Sequence, residues 1–210
     1  MEEQPFDKRN SGGYGSRMEQ IYAILLGYSL GSVPFGLLLT RAFGAGDLRS
    51  IGSGSIGATN VLRTGRKGLA AATVLLDGGK GALAVWLAMK GLPGFEGVAA
   101  IGAILGHCFP VWLKFKGGKG FATAAGVCLA LAWQVMVVAA AVWAVTVATS
   151  RISSVASMIS VIAAPVAAWL FGMEVLVPTL IGIAVIVIVQ HRANIARLRT
   201  GTEPKIGAKS

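Results

Sequence analysis

Seven long apolar segments follow one another along this chain, and they restrict it to one class of fold. They lie at residues 21–43, 69–89, 94–112, 121–132, 135–149, 152–171 and 175–190. About 20 apolar residues in a helix cross the hydrocarbon core of a bilayer, and a helix satisfies its own backbone hydrogen bonds there. Only 13% of the residues are charged, about half the share of a soluble domain. We therefore predict an all-α polytopic membrane protein with seven transmembrane helices.

Two of these segments are predicted to be irregular, and one long apolar run is divided in two. Pro34 removes a helical hydrogen bond within the first segment and predicts a break at residues 31–36. Pro165 predicts a kink in the sixth segment. The run 121–149 is too long for one span and short for two. We divide it near Gln134.

The distribution of positive charge predicts the orientation in the membrane. With the N-terminus outside, most of the 19 lysines and arginines lie in connections on one side, and connections rich in Lys and Arg stay in the cytoplasm. The outer side then holds Lys8, Arg9, Arg17 and Lys90, while Lys80 lies within a span. We predict an outside N-terminus and a cytoplasmic C-terminus. An undivided run at 121–149 would move the C-terminal arginines outside.

The remaining organisation follows from polarity. We expect a disordered tail at residues 1–20, a single transmembrane domain at 21–200 and a cytoplasmic tail at 201–210; Met18 is an alternative start. The net charge of +10 favours anionic lipid and anionic substrates rather than nucleic acid in such a chain. Cys108 and Cys128 lie in apolar runs and are interpreted as small buried hydrophobes.

The first polar cluster, residues 47–63, has the composition of a phosphate-binding loop. It contains three glycines, four hydroxyl side chains, one asparagine and two arginines. Glycine lets backbone approach a ligand, clustered N–H groups bind anions, and arginine matches phosphate geometry. The alternative is a flexible Gly/Ser linker, which does not require Thr59, Asn60 and Arg63.

The second polar cluster, residues 106–120, ends in Lys-Phe-Lys-Gly-Gly-Lys-Gly, which leads directly into an apolar run. A glycine loop at a helix N-terminus favours anions through free N–H groups and the helix dipole. The spacing is not that of a Walker A motif. Lys119, between glycines, is the candidate ligand, whereas Lys114 and Lys116 are explained as anchors on the cytoplasmic side.

The third polar cluster, residues 191–203, places His191 and Asn194 on one face of a helix. A basic helix end that contacts lipid headgroups would explain the arginines but not these two residues. Asp77 and Lys80, three residues apart in the second span, also share a face. Such buried charges either serve a function or only lock helix packing.

Four motifs in this order resemble the bacterial acyl-phosphate:glycerol-3-phosphate acyltransferases. They are Ser-Val-Pro-Phe-Gly at 32–36, the Asp-Leu-Arg-x-x-Gly-Ser-Gly-x-x-Gly-Ala-Thr-Asn-x-x-Arg run at 47–63, the Gly-His-x-Phe-Pro-Val-x-Leu-x-Phe-Lys-Gly-Gly-Lys-Gly-x-Ala-Thr run at 106–123 and His-Arg-x-Asn-Ile-x-Arg-Leu at 191–198. The resemblance implies a seven-span enzyme of the bacterial inner membrane with its active site on the cytoplasmic face. It implies transfer of a fatty acyl group from acyl phosphate to the sn-1 hydroxyl of glycerol 3-phosphate, the first step of phospholipid synthesis. Ser55 departs from the family, which usually has Asn there.

The resemblance also implies roles for individual residues. The most sensitive positions would be Ser53, Arg63, Lys119, His191 and Asn194. Independently of the resemblance, the composition of the two glycine loops predicts that phosphate is bound by Gly54, Ser55, Gly57, Thr59, Asn60, Gly117 and Gly118. Asp77, Lys80 and His107 would support the site.

The chemistry needs little from the protein beyond orientation and charge. Acyl phosphate is already activated, so we expect no protein nucleophile. We also expect no cofactor and no metal, and a monomer that contacts membrane lipid. Arg63 and Lys119 would neutralise the substrate phosphates, while His191 and Asn194 orient the hydroxyl. Either His191 or the substrate's own phosphate would take the proton.

Two other classes of protein fit parts of the pattern. A transporter for an organic phosphate also uses broken spans and glycine-lined polar loops, although no inverted repeat is found and all three clusters lie on one face. A structural lipid-binding protein would leave His191 and Asn194 without a role.

Overall fold

The computed structural model describes residues 12–207, with side chains from Ser16. All regular structure in that range is helical. The ten α-helices are α1 (Gly12–Gly31), α2 (Phe35–Ala42), α3 (Ala58–Leu62), α4 (Lys67–Gly91), α5 (Glu96–Cys108), α6 (Phe121–Leu131), α7 (Trp133–Ser150), α8 (Ser153–Leu170), α9 (Val177–Gln190) and α10 (Arg192–Arg199). Short 3-10 turns lie at Leu48–Ser50, Val111–Leu113 and Glu174–Leu176.

Several of these helices are long and apolar enough to cross a membrane. Five candidates are found in the described range, at Ser16–Ala42, Lys67–Gly91, Glu96–Leu113, Trp133–Ser150 and Ser153–Leu170. A sixth counts if Glu174–Gln190 and Arg192–Arg199, which meet at a bend of 57°, form one broken span. The shorter helix α6 is also apolar. The prediction of an all-α protein with several membrane-crossing helices is confirmed for this part of the chain.

Both predicted helix breaks form, but only the first lies at a residue with a local reason for it. Pro34 lies between α1 and α2, as its missing N–H group predicts. The run 121–149 divides at Ala132, whose extended backbone separates α6 from α7. Gln134 therefore lies in the first turn of α7 rather than at the tip. Pro165 lies inside α8.

The first helix begins earlier than the apolar pattern predicts. It starts at Gly12 rather than near Ile21, so the prediction of a disordered tail does not hold for residues 12–20. Arg17, Met18, Glu19 and Gln20 are good helix formers, and this explains how the helix extends beyond its apolar part. The prediction for residues 1–11 lies outside the described residues.

Glycine contacts bring the helices together and position the polar loops. Side chains of α4, α5, α6 and α9 share one apolar core that includes Val85, Ile104, Val127 and Val187. A Cβ atom at Gly81 of α4 would lie 2.5 Å from the backbone carbonyl oxygen of Thr123 on α6, so only glycine permits this approach. Small residues allow close helix packing in membranes. The contact holds the start of α6, and with it the loop containing Lys119, against α4.

Candidate active site

The first polar cluster folds around the side chain of Asn60. This residue is 2% exposed, and its Nδ2 donates to the carbonyl oxygens of Leu48, Ile51 and Ser55 at 2.8, 3.0 and 2.8 Å. Its Oδ1 lies 3.3 Å from Nη1 of Arg63. The cluster is therefore an ordered loop rather than a flexible linker. Because its amide hydrogens are used inside the loop, Asn60 shapes the loop and is not free to donate to a phosphate as predicted.

An ion pair closes the beginning of this loop. Asp47 accepts hydrogen bonds from the backbone N of Arg49 at 2.9 Å and from its Nη2 at 2.6 Å. The side-chain hydrogen bond and then the backbone one, more than the charge of Arg49 alone, lower the pKa of the Asp47 carboxyl below its usual value. Arg41 lies 3.6 Å from the same carboxylate.

The loop leaves several predicted ligands open to solvent. Ser53, Thr59 and Arg63 are exposed, whereas Gly54, Ser55 and Gly57 are half-buried. Gly52 and Gly54 have φ angles of 54° and 67°, in the left-handed region that favours glycine. The polar surface of the loop is thus formed by hydroxyl groups, backbone and one guanidinium.

The glycine loop of the second polar cluster, residues 117–120, is bonded to the end of α5. The backbone N of Gly117 donates to the carbonyl of Cys108 at 3.1 Å, and that of Gly118 donates to His107 at 3.0 Å. Gln190 reaches the carbonyls of Cys108 and Gly118 from α9 at 3.3 and 3.5 Å. Gly117 and Gly118 were predicted to bind phosphate, but both amides are used here to fasten the loop. The prediction that the loop leads into a helix is confirmed, with Gly120 capping α6 at φ 85°.

Lys119 connects this loop electrostatically with the other two clusters. The pKa of Lys119 is lowered to about 8, chiefly by burial and to a smaller extent by the positive charges of Arg197 and Arg63, while the Glu203 carboxylate opposes the shift. Arg63 belongs to the first cluster and Arg197 to the third. Lys119 is therefore close enough to both to be affected by their charges, as expected if the three clusters meet.

The third polar cluster is held at the bend between α9 and α10. His191 and Asn194 are 3% and 4% exposed, so both side chains face the protein interior at this bend. Nδ1 of His191 lies 2.7 Å from the carbonyl oxygen of Val187. Because a carbonyl only accepts, Nδ1 carries the hydrogen in this contact, and Nε2 is left as an acceptor.

Glu203, which follows the last helix, organises the third cluster and was not predicted as a site residue. Its carboxylate accepts from Ser154 Oγ at 2.6 Å, Asn194 Nδ2 at 2.6 Å and Arg197 Nε at 2.7 Å. Burial raises the pKa of Glu203, but these hydrogen bonds outweigh burial and lower it. One signal was present in the sequence, since Glu203 is the single acidic residue in the basic stretch 191–205.

Asp77, Lys80 and His107 form a buried cluster beneath the second loop. Lys80 Nζ lies 2.7 Å from Asp77 Oδ1, and the two side chains are 4% and 2% exposed. Lys80 also donates to the carbonyl of Val33 at 2.7 Å, next to the break between α1 and α2. His107 Nδ1 lies 3.7 Å from the same Asp77 oxygen. The predicted pairing of Asp77 and Lys80 on one face is confirmed.

The comparisons with known proteins agree on one family. A family model described as glycerol-3-phosphate acyltransferase matches residues 21–201. The chain is 60% identical over 187 residues to a glycerol-3-phosphate acyltransferase of Erythrobacter litoralis (strain HTCC2594), covering 89% of this chain and 95% of the relative. It is 59% identical over 192 residues to one of Novosphingobium aromaticivorans, covering 91% and 98%.

The fold is also similar to that of solved structures. A crystal structure of PlsY (YgiH), described as an integral membrane glycerol 3-phosphate acyltransferase in its glycerol 3-phosphate form, matches with a TM-score of 0.85 and 35% identity, covering 90% of this chain and 96% of that one. A second structure, the lysophosphatidic acid form, matches with a TM-score of 0.82 and 33% identity. This chain, with its ordered 47–63 loop and its cluster of cations, belongs to the glycerol-3-phosphate acyltransferase family.

Proposed function

We propose that this chain transfers a fatty acyl group from acyl phosphate to the sn-1 hydroxyl of glycerol 3-phosphate, forming lysophosphatidic acid and phosphate. The observation that carries the proposal is the buried pair of His191 and Asn194, 3% and 4% exposed, which leaves Nε2 and, among the described residues, an unpartnered Oδ1 for a hydroxyl. The solved relatives with glycerol 3-phosphate and lysophosphatidic acid forms support the acceptor and the product.

Two phosphates must be brought together against their mutual repulsion. Arg63 and Lys119 would neutralise them, and Arg197 would add to the positive field. The acyl-phosphate head would lie on the first loop, against Ser53, Gly54, Ser55, Gly57 and Thr59. Preorganised cations act more strongly in a site with little water, because screening is weaker there.

The reaction itself is a displacement at the acyl carbon. The sn-1 oxygen attacks the carbonyl carbon, the bond from that carbon to the phosphate oxygen breaks, and phosphate leaves with both electrons. Nε2 of His191 is suited to take the hydroxyl proton, because Nδ1 is occupied by the Val187 carbonyl. The alternative acceptor is an oxygen of the substrate's own phosphate.

Asn194 is suited to orient the attacking hydroxyl. Its Nδ2 is held by Glu203 at 2.6 Å, and its buried Oδ1 has no hydrogen-bond partner within the described residues. A buried acceptor without a partner is rare in native proteins. A substrate hydroxyl would satisfy this oxygen and would be aligned by it.

The proposed topology has seven spans, counting α6 and the broken α9–α10 pair, with the N-terminus outside and the C-terminus in the cytoplasm. The three clusters would then face the cytoplasm from the bacterial inner membrane. Residues 21–200 would act as one monomeric domain with neither cofactor nor metal.

The proposal is tested by supplying three donors to the purified protein. Acyl phosphate, acyl-CoA and acylated carrier protein are each mixed with glycerol 3-phosphate, and lysophosphatidic acid is measured by mass spectrometry. We expect product from acyl phosphate alone, and its loss in the His191→Ala variant if the imidazole is the base. Product from acyl-CoA alone would overturn the donor assignment. Uptake of glycerol 3-phosphate into vesicles without any product would favour a transporter.

A further inference from the structure

A cavity outside the proposed catalytic cluster lies between the start of the first loop and the turn after α5. Its volume is about 600 Å³. Its lining includes Arg49, Ser50, Gly54, Trp112, Lys114 and Lys116. None of the five residues expected to be most sensitive for catalysis belongs to this lining. The cavity is instead bordered by the start of the first loop, through Asp47, Arg49, Ser50 and Gly54, and by the turn after α5.

The lining combines positive charge with an apolar rim. Arg49 is paired with Asp47 at 2.6 Å, and both line the cavity. Lys114 and Lys116 are exposed and make no ion pair with any described residue. Trp112 and Phe115, 54% and 61% exposed, add apolar surface beside these two lysines. Such a surface suits a ligand with an anionic head and an apolar chain.

The turn that carries the lysines is held in a strained backbone conformation. Lys114 and Phe115 have φ angles of 52° and 60°, in the left-handed region that non-glycine residues rarely occupy. Strain of this kind persists only where the surroundings enforce it, and it is concentrated at functional sites.

Hydrogen bonds to Tyr28 of α1 and to Ser32, just after this helix, hold the turn in this conformation. Trp112 Nε1 donates to the carbonyl of Ser32 at 2.8 Å. Tyr28 Oη accepts from the backbone N of Val111 at 3.0 Å and donates to the Phe109 carbonyl at 2.7 Å. The turn is thus anchored before any ligand binds, and Lys114 and Lys116 project from a fixed support.

We propose that this cavity binds the phosphate head of an anionic membrane amphiphile, at a position distinct from the catalytic cluster. Lys114 and Lys116 contact the phosphate, and the acyl chain lies along the surface of Trp112 and Phe115. Two sources share this chemistry, namely bulk anionic lipid and the acylated substrate or product of the proposed reaction. The proposed function is not needed for the binding itself.

Binding is measured by quenching of tryptophan fluorescence in uncharged detergent. Phosphatidic acid and phosphatidylcholine with the same brominated chains are titrated into the purified protein, and the Trp112→Phe variant isolates the signal of Trp112. We expect saturable quenching by phosphatidic acid at concentrations where phosphatidylcholine has little effect. Competition by lysophosphatidic acid, but not by phosphatidylglycerol, would assign the site to the acylated substrate or product, and competition by both would assign it to bulk anionic lipid.

One variant tests the charge of the cavity, a second tests its volume, and a third is the matched control. In Lys114→Gln/Lys116→Gln we expect binding weaker by roughly thirtyfold, since each lysine near an anionic lipid contributes about a factor of five. Ser50→Tyr fills the cavity without changing charge and is expected to abolish binding. Lys67→Gln/Lys205→Gln removes two exposed lysines outside the cavity and should bind normally.

Three results would overturn the proposal. Equal losses in the Lys67→Gln/Lys205→Gln control would show that only net charge matters. Normal binding by Ser50→Tyr would show that the lysines are surface anchors. Equal quenching by both brominated lipids would show that the headgroup is not recognised. His191→Ala should bind as the wild type does, so failure of the proposed catalysis is distinguished from failure of this site.

Discussion

Asn194 donates a 2.6 Å hydrogen bond from Nδ2 to Oε1 of Glu203, so a residue of the proposed site is held by the segment that follows the last helix. The same carboxylate accepts from Ser154 at the start of α8 and from Arg197. The segment after α10 is therefore part of the site's support.

Replacing Glu203 tests this support. Glu203→Gln keeps the shape but removes the charge, and each hydrogen bond to a charged group contributes about 1.5–3 kcal/mol. We expect the free energy of unfolding to fall by about 2–3 kcal/mol and acyl transfer to fall with it. Glu96→Gln, at the turn where Glu96 accepts from the Gly94 N–H, is the control. Equal stability of both variants would contradict the role of Glu203.

The Glu203 contribution should also depend on pH. The folded-state pKa of Glu203 is lowered from 4.5, so its stabilisation is present above the unfolded value and is lost as the pH falls through the folded value. Thermal unfolding of wild type and Glu203→Gln between pH 7 and pH 3 would show the difference shrinking toward low pH. A difference that is constant over this range would exclude the ionised carboxylate as its source.

Lys119 should limit substrate binding in alkaline solution. Its pKa of about 8 means that the ammonium is protonated below that value and loses its charge above it. We expect KM for glycerol 3-phosphate to rise above pH 8 in the wild type. The Lys119→Arg variant stays charged above pH 8, so its KM should not rise in that range. The same alkaline rise in both proteins would assign it to another group.

The tautomer of His191 can be read directly, because the chain has only two histidines. With ¹⁵N-labelled histidine, NMR shifts should show the hydrogen on Nδ1 of His191, as its 2.7 Å contact with the Val187 carbonyl requires. The His191→Gln variant identifies which signal belongs to His191. A hydrogen on Nε2 would remove the geometric basis for His191 as the base.

Gly118 should not tolerate a side chain. A Cβ atom there would lie 2.9 and 3.0 Å from two ring carbons of buried His107, and overpacking of this kind costs about 1–3 kcal/mol. We expect Gly118→Ala to lose stability and activity together, because the loop that carries Lys119 must shift. Gly79→Ala, where no atom lies within 4 Å, is the matched control and should gain about 0.5–1 kcal/mol. Full activity in Gly118→Ala would show that the loop is not so constrained.

The buried pair of Asp77 and Lys80 should be more costly to break than to remove. Asp77→Asn leaves the Lys80 ammonium without its carboxylate at 4% exposure, and breaking a buried pair costs about 3–5 kcal/mol. The double variant Asp77→Asn/Lys80→Met should recover much of this loss in thermal unfolding. If the double variant is as unstable as the single one, the two charges do more for stability than compensate each other.

Much of the fold followed from local sequence. The helix break at Pro34 and the ordered turn into α6 at Gly120 depend on backbone properties of those residues. The division of residues 121–149 was expected from length, but its position at Ala132 was not, because Ala132 has no local preference for extended backbone. Helical packing on both sides decides it.

The candidate site was only partly predictable for a related reason. Lys119 and His191 could be proposed from motif and helix face, whereas Glu203 and Arg197 became visible only through their contacts. Asn60, Gly117 and Gly118 were predicted as ligands from composition. Their hydrogen bonds show that they hold the loops, and residue type alone does not distinguish a donor facing a ligand from one facing a carbonyl.

The sequence by itself determined that this chain enters a membrane as a bundle of helices with cationic glycine loops between them, because apolar length and backbone chemistry are local properties. Tertiary structure decided which polar groups remain available. Lys119 acquires its altered pKa from burial and from charges far away in sequence, and Asn194 is held in place by Glu203. Such effects depend on distances across the fold, which no stretch of sequence contains.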